Sequence, residues 1–191
     1  MKNTRKNKKK SRKLSLKYYK SNDGMLTSVW GPSLWHYLHC MSFNYPNNPT
    51  KHEQKHYKDF IYNLQYVLPC KYCRDNLKKN LKYNPILPCH LKNRCMFSKY
   101  IYKLHETINT QLKKKSNLSY NQVRDRYENF RARCLQEKPN IFKFNKTKKH
   151  KGCVEPLYGK KSKCVIKILP QETKCPSLTI DKKCYINQKK Q

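Results

Sequence analysis

The chain reads as an all-α protein, a four-helix bundle with a short fifth helix. Three observations predict this. Between residues 26 and 134 apolar side chains recur every three or four positions, the helical interval. Capping residues and prolines divide that span into helix-length pieces. No stretch in it alternates apolar and polar residues as a half-buried strand would. Residues 1–25 form a basic, apolar-poor tail expected to be disordered, and residues 135–191 a basic, Cys-rich extension with too little apolar matter for a core of its own.

The first helix opens around Trp30-Gly31-Pro32, with proline in a first-turn position. It carries Trp30, Leu34, Leu38 and Met41 on one face, with Trp35 and His39 together on the neighbouring face. Tyr45-Pro46-Asn47-Asn48-Pro49 stops it. Thr50 caps the second helix, with Glu53 at the capping-box position and a stripe of Tyr57, Phe60, Ile61, Leu64, Val67 and Leu68. Pro69 then introduces a third helix that runs from Cys70 to before Asn84-Pro85. A loop from Pro85 to Cys95 precedes the fourth helix, striped by Phe97, Ile101, Leu104, Ile108 and Leu112, with His105 and Asn109 beside the stripe. Tyr120 to Cys134 is expected to be the fifth helix, with Val123, Tyr127 and Phe130 inward. Beyond it, Val165 to Leu169 is the one strand-like run.

Charge dominates the composition: 44 Lys+Arg against 11 Asp+Glu give a formal net charge of +33. Such a surface attracts nucleic acid or acidic surfaces in a salt-dependent way, although a Lys- and Asn-rich compositional drift would look the same. The run Lys6 to Lys13 has the composition of a nucleic-acid-binding or nuclear-localisation tail. No apolar run is long enough to span a membrane, and no classical signal peptide for secretion opens the chain. Ten cysteines without a secretion signal point to metal or redox use before a structural framework.

The chemistry centres on Pro69-Cys70-Lys71-Tyr72-Cys73. Two thiols at C-x-x-C spacing close a disulfide or supply half of a metal site. In the first turn of a helix, free N–H groups and the helix dipole favour the thiolate. Trp35 and Tyr127 offer flat surfaces, and His39, His105 and Asn109 offer polar atoms. Together they suit a planar, hydrogen-bonding cofactor held against the dithiol, for which a flavin fits.

The segments Trp30-Gly31-Pro32-Ser33-Leu34-Trp35-His36-Tyr37-Leu38-His39, Tyr45-Pro46, Pro69-Cys70-Lys71-Tyr72-Cys73 and Leu104-His105-Glu106-Thr107-Ile108-Asn109 resemble the Erv/ALR FAD-linked sulfhydryl oxidases, in particular those of large nucleocytoplasmic DNA viruses. The likeness runs from about Leu26 to Cys134. It implies a helical bundle holding FAD at the mouth of the C-x-x-C helix, commonly as a homodimer. It also implies oxidation of thiol-containing protein substrates, with molecular oxygen reduced to hydrogen peroxide. By this resemblance Cys70 and Cys73 are catalytic, Cys73 facing the flavin and Cys70 exchanging with substrate. Gly31, Trp35, His39, Tyr45, Cys73, His105, Asn109, Lys114 and Tyr127 are the implied FAD-binding residues, and no metal is implied. A viral chain of this kind would work in the virion or the host cytoplasm.

Some positions depart from the pattern. Glu106 stands where the family usually has Asn. Tyr102 and Tyr120 stand where many members have a structural disulfide, a paired loss that reads as replacement by packing. Cys89 and Cys95 are candidates for a different staple or, with the tail cysteines Cys153, Cys164, Cys175 and Cys184, for a shuttle pair. Cys40 reads as a small core residue, and Cys134 as a staple for the tail or another subunit. The rival from another class is a basic zinc module on nucleic acid, built on Cys70, Cys73, Cys89 and Cys95 at C-x2-C-x15-C-x5-C spacing. That reading has no use for Trp35, His39, His105 or Asn109. A catalytically dead basic scaffold is a third reading.

Overall fold

The computed structural model describes residues 16, 20, 24–135, 152–157, 162–170, 172–175, 178–181 and 184. The disorder expected of residues 1–25 and the basic run from Lys6 to Lys13 fall almost wholly outside them. Five α-helices make the domain: α1 (Thr27–Phe43), α2 (Lys51–Val67), α3 (Lys71–Tyr83), α4 (Arg94–Gln111) and α5 (Tyr120–Glu128). A 3₁₀ turn, Pro88–Leu91, tightens the loop before α4.

Most helix starts have a local cause. The expected capping box starts α2. Thr50 Oγ1 accepts the Glu53 N–H at 3.2 Å. The Glu53 carboxylate accepts the Thr50 N–H at 2.7 Å. Asn93 and Ser119 cap α4 and α5 through their side chains. Helix α1 begins about a turn earlier than Pro32 suggests. Its start is held by one tertiary and one local bond: the Met25 N–H donates to Pro69 O at 2.7 Å, and the Trp30 indole donates to Met25 O at 3.1 Å. Pro32 therefore lies inside the helix.

The apolar stripes meet in one core. Tyr45, Ile61, Phe97 and Ile101 are fully buried there, together with Leu38, Leu64, Leu77, Leu81, Ile86 and Leu104. Truncating a residue such as Phe97 to alanine would cost about 3–5 kcal/mol through lost burial and the cavity left behind. A smaller cluster of Phe43, Val123 and Tyr127 joins α5 to α1, with Leu178 of the extension packed on it. Tyr102 and Tyr120 meet edge-on, with ring centroids 5.8 Å apart. The Tyr102 hydroxyl donates to Leu118 O and the Tyr120 hydroxyl bonds Ser98 Oγ. Aromatic packing thus joins α4 to α5 where the pattern would place a disulfide.

The fifth helix is shorter than its sequence suggests, and strands follow it. Helix α5 ends at Glu128, and Ala132–Leu135 (β1) pairs antiparallel with Gly152–Pro156 (β2). Arg131 turns the chain. Its guanidinium donates to both Glu128 carboxylate oxygens at 2.7 Å and to Phe43 O at 2.8 Å, pulling the backbone back over α1. The ladder register sets Cys134 opposite Cys153, and Cys153 is disulfide-bonded. The strand-like run Val165 to Leu169 is not a strand. Its Val165, Ile166 and Ile168 are exposed and its backbone lacks a partner strand among the described residues.

Candidate functional site

Cys70 is the N-cap of α3: its Sγ accepts the Cys73 N–H at 3.3 Å. The residue that starts the helix is therefore one of the two thiols, and the second lies in the first turn, where unpaired N–H groups converge. Both thiols are free. Burial pushes the Cys70 thiol up, but hydrogen bonds from the Cys73 side chain and backbone and from Thr27 outweigh it and hold Cys70 below the ordinary thiol range. Cys73 goes the other way, raised by burial and by its bond to Cys70. It packs on the main core, whereas Cys70 borders solvent.

The segment leading into α1 clamps this turn. The Met25–Pro69 backbone bond is one part of the clamp. Gly24 is the other: a Cβ added there would lie 2.7 Å from Pro69 O and 2.9 Å from Cys70 Cα. Only glycine allows that approach. Thr27 Oγ1 stands 3.5 Å from Cys73 Sγ. Helix α1 thus touches the dithiol at its start and, two turns on, presents Trp35 and His39.

There the expected cluster assembles. Trp35 stacks flat on His105, with centroids 4.0 Å apart and planes 5° from parallel. His39 Nε2 and His105 Nδ1 share a hydrogen bond of 3.0 Å. The Tyr127 ring lies 5.1 Å from His39, and its hydroxyl bonds His36 Nδ1 at 3.3 Å. Burial, and then the neighbouring His105 and His36, push His39 down to about 3. Burial likewise pushes His105 down to about 4, against the opposing pull of Glu106. Both rings are neutral at pH 7. One atom is left over: His39 is 4% exposed, yet its Nδ1 has no hydrogen-bond partner among the described residues. An unmade bond at a buried polar atom costs about 1–3 kcal/mol, so this nitrogen is open to a bond from a bound molecule or water.

Glu106 has a task of its own. Its carboxylate accepts the Asn109 side-chain amide at 3.0 Å and the Ser116 hydroxyl at 2.9 Å, which orients Asn109 and ties the α4–α5 turn. The Lys114 N–H closes on Asn109 O at 2.8 Å after Lys113, whose φ is 54°. Gly31 is buried with Thr27 Cγ2 at 3.2 Å from where a Cβ would sit. Tyr45 is the exception. It is fully buried between Tyr57 and Phe97, and its hydroxyl donates to Leu91 O at 2.9 Å, so no bound molecule reaches it in this conformation. In this conformation Tyr45 serves the core.

Sequence reasoning missed Gly24, Thr27 and His36. Thr27 and Cys73 are 46 positions apart and share no local pattern; His36 sits inside the aromatic motif and was visible there. Cys40, beside His36, is pushed up to about 11, by burial first and then by Cys164, which keeps it protonated at neutral pH. Cys89 and Cys95 are exposed and free, so they form no staple. Among the described residues no three His, Cys, Asp or Glu side chains are placed to hold a metal, so the four-cysteine zinc set does not assemble.

The Erv1 / Alr family model matches residues 32–128, just over half of the chain. The chain belongs to the Erv1 / Alr family. Within it, the FAD-linked sulfhydryl oxidase ERV1 of Arabidopsis thaliana is 31% identical over 84 residues, 44% of this chain and 42% of that protein. A putative FAD-linked sulfhydryl oxidase of Invertebrate iridescent virus 6 is 29% identical over 90 residues, 45% of this chain and 81% of its own. An FAD-linked sulfhydryl oxidase of African swine fever virus is 29% identical over 99 residues, 52% of this chain and 80% of that one. This Erv1 / Alr chain thus spans less than half the length of the Arabidopsis relative. A crystal structure of the yeast Erv1 core aligns at 22% identity with a TM-score of 0.49, over 64% of this chain and 96% of that one.

Proposed function

We propose that the chain is an FAD-dependent thiol oxidase that forms disulfides in protein substrates. The observation that carries this reading is the reach of α1, which contacts Cys73 through Thr27 and presents Trp35 and His39 to the His105 cluster. FAD suits the cluster: the Trp35–His105 stack offers a flat wall and His39 Nδ1 an unmet hydrogen bond. Trp35, His39, His105, Asn109 and Tyr127 would hold it, with Gly31 and Lys114 at the margins. When bound, FAD supplies a two-electron acceptor that oxygen regenerates, giving hydrogen peroxide.

The protein's own steps are thiol–disulfide exchange. A substrate thiolate attacks Cys70 Sγ of the closed Cys70–Cys73 pair, breaking the S–S bond and releasing Cys73 as the thiolate. The second substrate thiolate then attacks the substrate sulfur of the mixed disulfide and expels Cys70. The substrate leaves as a disulfide, and the two protons it gave up return to Cys70 and Cys73. A lowered Cys70 thiol is the better leaving group in that last step. The more buried Cys73, tied to Thr27, faces the cofactor side.

The proposal extends to assembly and setting. A homodimer is supported by Val29, Tyr37 and Phe60, apolar residues exposed on α1 and α2. The relatives from two viruses support a place in the virion or the cytoplasm of an infected cell. The +33 charge supports attraction to nucleic acid or acidic surfaces. Unchanged co-purification with nucleic acid after deletion of residues 1–20 and 138–191 would remove that last part. The main test is the visible spectrum of the purified protein. A flavin band that dithiothreitol bleaches and air restores, with cycling stopped by Cys70→Ser or Cys73→Ser, is expected. A protein that neither carries FAD nor takes it up on reconstitution would overturn the reading.

A further inference from the structure

Helix α2 carries His52 and His56 one turn apart, on a face that belongs neither to the dithiol nor to the His39 cluster. Both are exposed. Their Nε2 atoms lie 2.9 Å apart, with ring centroids at 4.2 Å and planes at 74°. A single N–H···N hydrogen bond accounts for that distance, with one ring donating. The same separation also matches a chelate. Two imidazole nitrogens bound at about 2.05 Å from one metal ion and at a right angle stand roughly 2.9 Å apart, whereas a tetrahedral angle spreads them to roughly 3.4 Å. One turn apart on one helix, the two rings can turn their Nε2 lone pairs onto a shared metal ion, and imidazole pairs of this kind bind Ni²⁺ and, most strongly, Cu²⁺.

The scaffold is firm, because the Thr50–Glu53 capping box fixes the turn on which His52 sits. The local charge is mixed. Glu53 responds electrostatically to His52 and Asp59 to His56, so two carboxylates flank the pair, while Lys55 and Lys58 oppose them. Among the described residues no third ligand joins.

We propose that His52 and His56 form a surface site for one divalent late transition-metal ion, Ni²⁺ or Cu²⁺, with water completing its coordination. The other nitrogen of each ring stays free for solvent, and the hydrogen bond between the rings gives way when the metal enters.

Calorimetric titration of NiCl₂ into the full chain, its thiols alkylated with iodoacetamide so that sulfur does not compete, tests this. One Ni²⁺ per chain is expected, with affinity falling at least tenfold in His52→Ala and equally in His56→Ala. His56→Gln, which keeps a polar side chain on the helix, should fail as His56→Ala does. With CuCl₂ the electron paramagnetic resonance spectrum should show coupling to two imidazole nitrogens, reduced to one in either variant. Binding that is absent, or unchanged in these variants, overturns the site. ZnCl₂ binding more tightly than CuCl₂ overturns the choice of metal.

Discussion

Replacing His39 by leucine, close to it in volume, separates what this residue does for the fold from what it does for a ligand. In the ligand-free protein the change removes the 3.0 Å bond to His105. A hydrogen bond of that kind contributes about 0.5–1.5 kcal/mol. The change also removes the orphaned, buried Nδ1. Leaving such an atom unpaired costs about 1–3 kcal/mol. The change also leaves His105 Nδ1 without that partner, so the gain and the losses nearly offset, and the unfolding free energy of the apoprotein should stay within about 1 kcal/mol of the parent's. Binding of FAD moves the other way. Losing the hydrogen bond that Nδ1 is placed to make, and leaving its ligand atom unpaired, costs about 1–3 kcal/mol, a roughly 5- to 150-fold weaker Kd. Urea denaturation of the apoprotein and quenching of flavin fluorescence on titration measure the two quantities separately. An apoprotein destabilised by about 2 kcal/mol or more, beyond the worth of one hydrogen bond, with unchanged FAD affinity would refute the reasoning. His39 would then be a structural residue only.

Other expectations follow from the same contacts. His39 and His105 have folded values far below 6.5, so the unfolded chain takes up their protons first, and stability that is complete above pH 6.5 falls as the pH drops toward 4. At pH 5 the loss is about 2 kcal/mol for each ring, and His39→Leu should abolish its half in denaturation curves taken from pH 7 to 5. Thr27 bonding lowers both active-site thiols, so Thr27→Val should shift the pH profile of iodoacetamide alkylation upward and slow oxidation at pH 7 more than at pH 9. A profile that does not move would remove Thr27 from the site. Gly24→Ala places a methyl group against Pro69 and Cys70 backbone atoms; oxidase activity should fall while the helical circular dichroism of the bundle persists. Gln111 and Asn80 exchange two hydrogen bonds, at 3.1 and 2.8 Å, between α4 and the dithiol helix, and Asn80 is buried. Gln111→Ala should therefore cost about 1–3 kcal/mol in thermal or urea unfolding, and a double variant with Asn80→Leu should recover part of it.

Much of the bundle was written in local patterns. The stripe of α4, the capping box of α2 and the prolines around Asn47 each act within a few residues, and short-range interactions of that kind survive into any fold that uses the helix. The fifth helix is present but was read a few residues too long, because its end is set by Arg131 reaching Phe43 O, 88 positions away, and β1 exists only because residues 152–156 supply its backbone partners. The burial of Tyr45 was not legible for a related reason: a motif places a residue in sequence, but packing against Tyr57 and Phe97 is settled by the fold.

The dithiol, the aromatic–histidine pairs and the all-α class were determined by the sequence alone, since helical periodicity and C-x-x-C spacing are properties of adjacent residues. Only the tertiary structure decided how those pieces work together. It brought Thr27 to Cys73, closed Gly24 on Pro69, stacked Trp35 on His105 and left His39 Nδ1 without a partner among the described residues. These are contacts between residues tens of positions apart. Their energy comes from desolvation and packing, which act on whatever surfaces the folded chain brings together and leave no mark on the local sequence.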